Sequence, residues 1–229
     1  SRIPVLKEQL VEAVALVERE GDYAGSLGIL ADETYGQDAL NAATGRGWWI
    51  GRPVELPGSN PLQFEHGRSI GTNLISWPNE HVAKCLVFYH PDDPAEHRLE
   101  QEAQVRALYE AIQASGHELL LEVIPPKDRT QADTVYRSLK QFYNLGIKPE
   151  WWKLESMTAA QWRSIDELIA ERDSSVRRRA VLEGLEEKTE LGLRLLARHP
   201  DHLHHLLLDV LPVDPDAPAP ELEPVQREV

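Results

Sequence analysis

Three ionisable residues each stand alone inside an apolar, strand-like run. Lys153 lies in Trp151-Trp152-Lys153-Leu154-Glu155, Lys84 in Val82-Ala83-Lys84-Cys85-Leu86-Val87-Phe88-Tyr89, and Glu122 in Leu119-Leu120-Leu121-Glu122-Val123-Ile124. A charged group in the middle of a buried strand is costly unless it is paired or its altered pKa is put to use. Two lysines and a carboxyl suit imine chemistry. A desolvated lysine amine attacks a carbonyl, a carboxyl moves the protons, and a second ammonium disfavours charging of the first and orients an anionic group. On this division Lys153 is the imine former, Glu122 the proton shuttle and Lys84 the second cation. The competing explanation is a structural ion pair, Lys153–Glu122 or Lys153–Glu155.

The elements that must position these residues alternate along the chain. A helix is expected over about 4–20, a short strand at 26–31, a helix over 36–45 and a strand at 48–55 whose end Pro53 makes irregular. A long connection over 57–79 carries a short helix near 66–74. Strand 82–89, helix 95–115, strand 119–124, helix 130–145, strand 151–155 and helix 158–173 follow. Gly116 and Gly146 act as stops, and Thr158 is the candidate N-cap. A weaker strand at 180–185, a helix near 187–198 and a strand or short helix at 202–210 complete residues 1–211. The Pro- and acid-rich tail, 212–229, reads as disordered. About seven such strand–helix units imply a parallel α/β fold of the TIM (β/α) barrel type, with chemistry at the C-terminal ends of the strands. A doubly wound open sheet is the alternative.

Composition narrows the function. With 38 acidic against 24 basic residues the formal net charge is -14, a poor match for nucleic acid or anionic membrane. The only cysteine, Cys85, sits mid-strand, so the cytoplasm is the expected compartment. No apolar run reaches the roughly 18 residues of a membrane span. The chain starts at Ser1, almost directly in an amphipathic helix, and reads as a processed or excised piece. No Gly-x-Gly-x-x-Gly, Walker lysine loop or Gly-x-Ser-x-Gly elbow is present. His90, Asp92, Asp93 and His97 cluster at a strand end without zinc-like spacing, and helix capping with first-turn acids accounts for Asp92, Asp93 and Glu96. His199, His202, His204 and His205 read as solvated.

Several multi-residue segments occur in the order of one known family: residues 28–36, 51–55, Trp77-Pro78, 84–93, 121–124 and 146–155. Over about residues 3–186 the chain resembles the aldolase-like domain at the C-terminal side of bacterial 5-dehydro-2-deoxygluconokinase, which is similar in turn to class I tagatose-bisphosphate aldolases. The resemblance implies a TIM barrel and Schiff-base cleavage of 2-deoxy-5-keto-gluconate 6-phosphate, or a related phosphosugar, in myo-inositol catabolism. The implied products are dihydroxyacetone phosphate and malonate semialdehyde. It matches Lys153 to the imine lysine, Glu122 to the proton-moving glutamate and Lys84 to the earlier strand lysine. Asp32, Arg52, Glu55, His90 and Glu155, in the same segments, are candidate substrate-binding residues. No cofactor or metal is required; a homo-oligomer and a sugar kinase domain are the candidate partners. The departures from that family predict an incomplete barrel. The family's first strand, ending in Asp-His-Arg, has no counterpart here. Its Gly-Arg phosphate signature is not matched in 202–210, and Glu183 stands where that family is apolar. A degenerate, non-catalytic barrel is the alternative these departures favour.

Overall fold

Strands buried on both faces need apolar residues at almost every position, and the chain supplies them in short runs separated by helices. In the computed structural model, residues 2–20, 27–65, 67 and 69–173 are described, together with the backbone of 180–182 and 206–209. The elements run α1 (Ile3–Glu20), β1 (Leu27–Leu30), α2 (Glu33–Ala43), β2 (Trp49–Pro53), α3 (Ile70–Leu74), β3 (His81–Phe88) and α4 (Ala95–Ser115). They continue with β4 (Glu118–Ile124), α5 (Thr134–Asn144), β5 (Trp151–Leu154), α6 (Ala159–Arg172), β6 (Ala180–Leu182) and β7 (Leu206–Asp209).

All seven strands are parallel, in the order β6-β5-β4-β3-β2-β1-β7. Register assigns the two faces. Ile29 pairs with Ile50, Arg52 with Ala83, Ala83 with Leu119, and Leu121 with Trp152. These residues share one face, because side chains alternate along a strand. Ala83, Cys85, Val87, Leu119, Leu121, Val123, Trp152 and Leu154 form one core there with Val105, Leu108 and Ile112 of α4, Leu139 and Phe142 of α5, and Ile165 and Leu168 of α6. Ile29 and Ile50 pack with Val11 and Val14 of α1 and Leu40 of α2 in a second cluster. The helices thus cover one face of a sheet in which β1 to β6 follow sequence order and β7 lies beside β1. That is a partial TIM-like barrel, not a sheet wound in both directions.

Local signals set the element ends. Asp32 caps α2 by accepting from the Tyr35 amide at 2.7 Å, which starts that helix before the expected residue 36. Gly116 and Gly146, at φ 77° and 81°, take the left-handed conformation that ends α4 and α5 regions at low cost. Thr158 and Gln161 form a reciprocal capping box on α6. Asp92 and Asp93 do not cap α4, contrary to the sequence expectation. Its N-cap is Pro94, which lacks a side-chain cap, and both aspartates pair with arginines instead. The 187–198 helix, Glu183, the four late histidines and the tail fall outside the described residues. Within 202–210, residues 206–209 form a strand.

Candidate active site

The concave face carries an apolar cluster and a charged one. At the N-terminal ends of the strands Trp49, Val82, Leu120 and Trp151 form an apolar cluster, with the two indoles edge to face at 5.8 Å. The Trp49 ring lies over Gly51, where any Cβ would fall 2.5 Å from it. Glycine there is a steric requirement of the aromatic cluster. Trp151 Nε1 donates to Glu118 Oε2 at 2.6 Å.

The same alternation points Lys84, Glu122 and Lys153 onto this face; Glu122 is in register with Lys153, and Lys84 with Leu120. Their head groups meet. Lys153 Nζ donates to Glu122 Oε1 at 2.9 Å, Lys84 Nζ lies 2.8 Å from Glu122 Oε2, and Lys84 Nζ donates to Glu55 Oε1 at 2.5 Å. The result is an alternating chain, Lys153–Glu122–Lys84–Glu55, contributed by four neighbouring segments of the sheet. Glu122 is 1% exposed and Lys153 2%, so a ligand reaches them only if covering side chains move.

Glu55 stands just past β2, where Pro53 has ended the strand. It is held by a narrow antiparallel loop: Glu55 bridges Phe64, the Leu56 amide donates to Gln63 O at 2.7 Å, and the Glu65 amide donates to Val54 O at 3.0 Å. Gln101 of α4 fastens that loop. Its Oε1 accepts from the Leu62 amide at 2.7 Å, and its Nε2 donates to Asn60 Oδ1 at 2.9 Å and to Phe88 O at 2.8 Å. Sequence reading missed Gln101. The available signal was its position: it occupies the inward stripe of α4 continued by Val105, Leu108 and Ile112, where an apolar residue is expected.

The electrostatics follow from burial and neighbours. Burial alone would lower Lys84, but Glu55 and Glu122 on either side outweigh it, and Lys84 is held above the ordinary lysine value. Burial alone would raise Glu122, but Lys84 and Lys153 outweigh it and keep the carboxyl below its usual range. Glu55 goes the other way: burial raises it, and Lys84 offsets this only in part. Two carboxyls on one face are therefore pushed apart, the usual basis for dividing acid and base roles. Glu122 also stands between the ammonium groups of Lys84 and Lys153, so the lysines act on each other through a shared carboxylate.

The remaining sequence candidates lie elsewhere. Asp32 is paired with Lys7 and caps α2. Arg52 is on the helix-covered face, stacked 4.0 Å over Trp77 and 2.5 Å from Glu33. His90 is buried after β3, with Nδ1 accepting from the Asp92 amide at 3.1 Å and Nε2 3.3 Å from Arg129 O. Glu155 does not pair with Lys153; it is 4.0 Å from Lys127 near the surface. Asp92 and Asp93 neutralise Arg137 and Arg129. Among the described residues no group of three or more His, Cys, Asp or Glu is arranged to hold a metal ion, and no helix is long and apolar enough to cross a membrane.

A sequence profile for an uncharacterized protein family conserved in bacteria, DUF2090, matches residues 1–196. No curated protein matches the chain.

Proposed function

The chain belongs to this uncharacterized bacterial family, and we propose that it is a class I, Schiff-base aldolase. Its substrate would be a phosphosugar such as 2-deoxy-5-keto-gluconate 6-phosphate. The observation that carries the reading is the buried contact between Lys153 Nζ and Glu122 Oε1 at 2.9 Å. A carboxylate in direct contact with a buried lysine can take the proton that the amine must lose before it attacks a carbonyl. It can then return that proton to the hydroxyl of the carbinolamine, which leaves as water. The iminium so formed draws electrons from the adjacent carbon–carbon bond, and cleavage leaves an enamine. Lys84, held cationic, keeps Glu122 ionised for the first step and offers positive charge to an anionic substrate.

The test is condensation of dihydroxyacetone phosphate with malonate semialdehyde, and the reverse cleavage. Activity that survives chelators and is abolished by Lys153→Ala supports the reading. Full activity of Lys153→Ala would refute it.

One observation favours a second reading. Each of the four charges already faces an opposite one, as a structural network requires. On that reading the chain is a non-catalytic barrel that binds a phosphosugar weakly or acts as an assembly module for a sugar kinase domain. Calorimetry showing no sugar-phosphate binding, alongside a stable complex with the kinase, supports it.

A further inference from the structure

The aldolase reading leaves one group in the quartet without a task. Glu122 has a lysine at each oxygen, whereas Glu55 has a lysine only at Oε1. Its Oε2 is buried and has no hydrogen-bond partner among the described residues. The backbone amides of Glu55 itself and of Leu86 approach this carboxyl and favour its charged form. A buried carboxylate oxygen left open costs stability and calls for an explanation, of which a catalytic role is one. The loop that carries Glu55 is not loosely placed either, because the buried amide of Gln101 ties it to α4 and to the end of β3.

Aldol cleavage needs two proton transfers at different places. One serves the lysine nitrogen and the departing carbonyl oxygen. The other serves a hydroxyl four covalent bonds from the imine nitrogen. Glu122 touches the amine; Glu55 lies further along the same face, beyond Lys84.

We infer that Glu55 is a further catalytic residue of this site: Oε2 takes the proton of the substrate hydroxyl as the carbon–carbon bond breaks, and returns it to the enamine carbon. This rests on the aldolase reading. In the forward step the O–H bond breaks and its electrons form the aldehyde carbonyl. The electrons of the broken carbon–carbon bond form the enamine double bond, and the iminium charge is discharged. After the aldehyde leaves, the Glu55 proton goes to the enamine carbon, regenerating the iminium, which water hydrolyses. No oxidant or reductant is needed. Burial that raises the Glu55 carboxyl makes it a better base near neutral pH.

The experiment separates the two proton transfers, using dihydroxyacetone phosphate alone as probe. Borohydride trapping reads imine formation; exchange of its carbon-bound hydrogens into heavy water, followed by NMR, reads proton transfer at carbon. Glu55→Gln is expected to keep trapping and to lose exchange by about 100-fold or more. Glu55→Ala is expected to behave alike and to regain exchange when formate is added, which a structural role does not predict. Parallel loss of trapping and exchange in Glu55→Gln, without formate rescue of Glu55→Ala, overturns the inference and leaves Glu55 as the partner that positions Lys84. Undiminished exchange in Glu55→Gln also overturns it. A natural protein that neither traps nor exchanges removes the aldolase reading, and this inference with it.

Discussion

Strands β3, β4 and β5 have two faces that differ in kind. Toward the helices they present, beyond His81 at the start of β3, the apolar residues Ala83, Cys85, Val87, Leu119, Leu121, Val123, Trp152 and Leu154. Toward the concave side they present an apolar cluster and, beside it, Lys84, Glu122 and Lys153, whose head groups meet. The strand register is the same for both faces. The contrast shows that the charges are not scattered through a tolerant core: they are concentrated where the strands can bring them into contact, next to an aromatic cluster.

Removing the shared carboxylate is the largest expected blow to this contrast. Glu122→Ala leaves Lys84 and Lys153 facing each other in a buried layer without their common partner. It is expected to destabilise the fold by about 3–5 kcal/mol in urea denaturation. A loss below about 1 kcal/mol would mean that water already screens the quartet, and the two faces would no longer differ as described.

The opposite face gives the matching control. Leu121→Ala, next to Glu122 but on the helix side, is expected to cost about 2–5 kcal/mol through its cavity. Borohydride trapping per folded molecule is expected to remain unchanged. Loss of trapping in this variant would tie the reaction to general packing.

Acid separates the faces again. His81, at the start of β3 on the helix side, is buried, with Nε2 3.0 Å from Thr44 Oγ1. Burial first, then the Arg52 charge, lower its pKa from 6.5 to about 4; Glu80 pulls it up by less, and His117 adds a still smaller downward push. A depressed pKa means that its contribution is complete above the unfolded value and is lost as pH falls from 6.5 toward 4. This amounts to up to about 3 kcal/mol. Glu122, also depressed, gives up its contribution only below the ordinary carboxylate range. His81→Asn should remove the upper phase of an acid unfolding curve and leave the lower one. Both phases persisting in His81→Asn would contradict this assignment.

Much of this was legible before any coordinates, for stateable reasons. Apolar runs of strand length with a single charge at the centre fixed both the parallel sheet and the parity of Lys84, Glu122 and Lys153, because alternation leaves little freedom in a buried strand. The Thr158 cap and the stops at Gly116 and Gly146 are local chemistry and read directly. Partner choice was not legible. Asp92 and Asp93 looked like helix-start residues, but arginines at 137 and 129, distant in sequence, claim them. Arg52 alternates onto the helix face, where Trp77 receives it. Glu55 was visible as a candidate, but its contact with Lys84 depends on a loop whose path is set by Gln101. No pattern within residues 54–65 encodes that distant contact.

The central proposal is that Lys153 is a reactive amine and not only half of an ion pair. The most direct measurement is peptide mapping by mass spectrometry after the intact chain is treated with dihydroxyacetone phosphate and borohydride. The account predicts one reduced adduct, on Lys153, absent when the sugar phosphate is omitted. An adduct spread over surface lysines, or none on Lys153 while the protein remains folded, would contradict it.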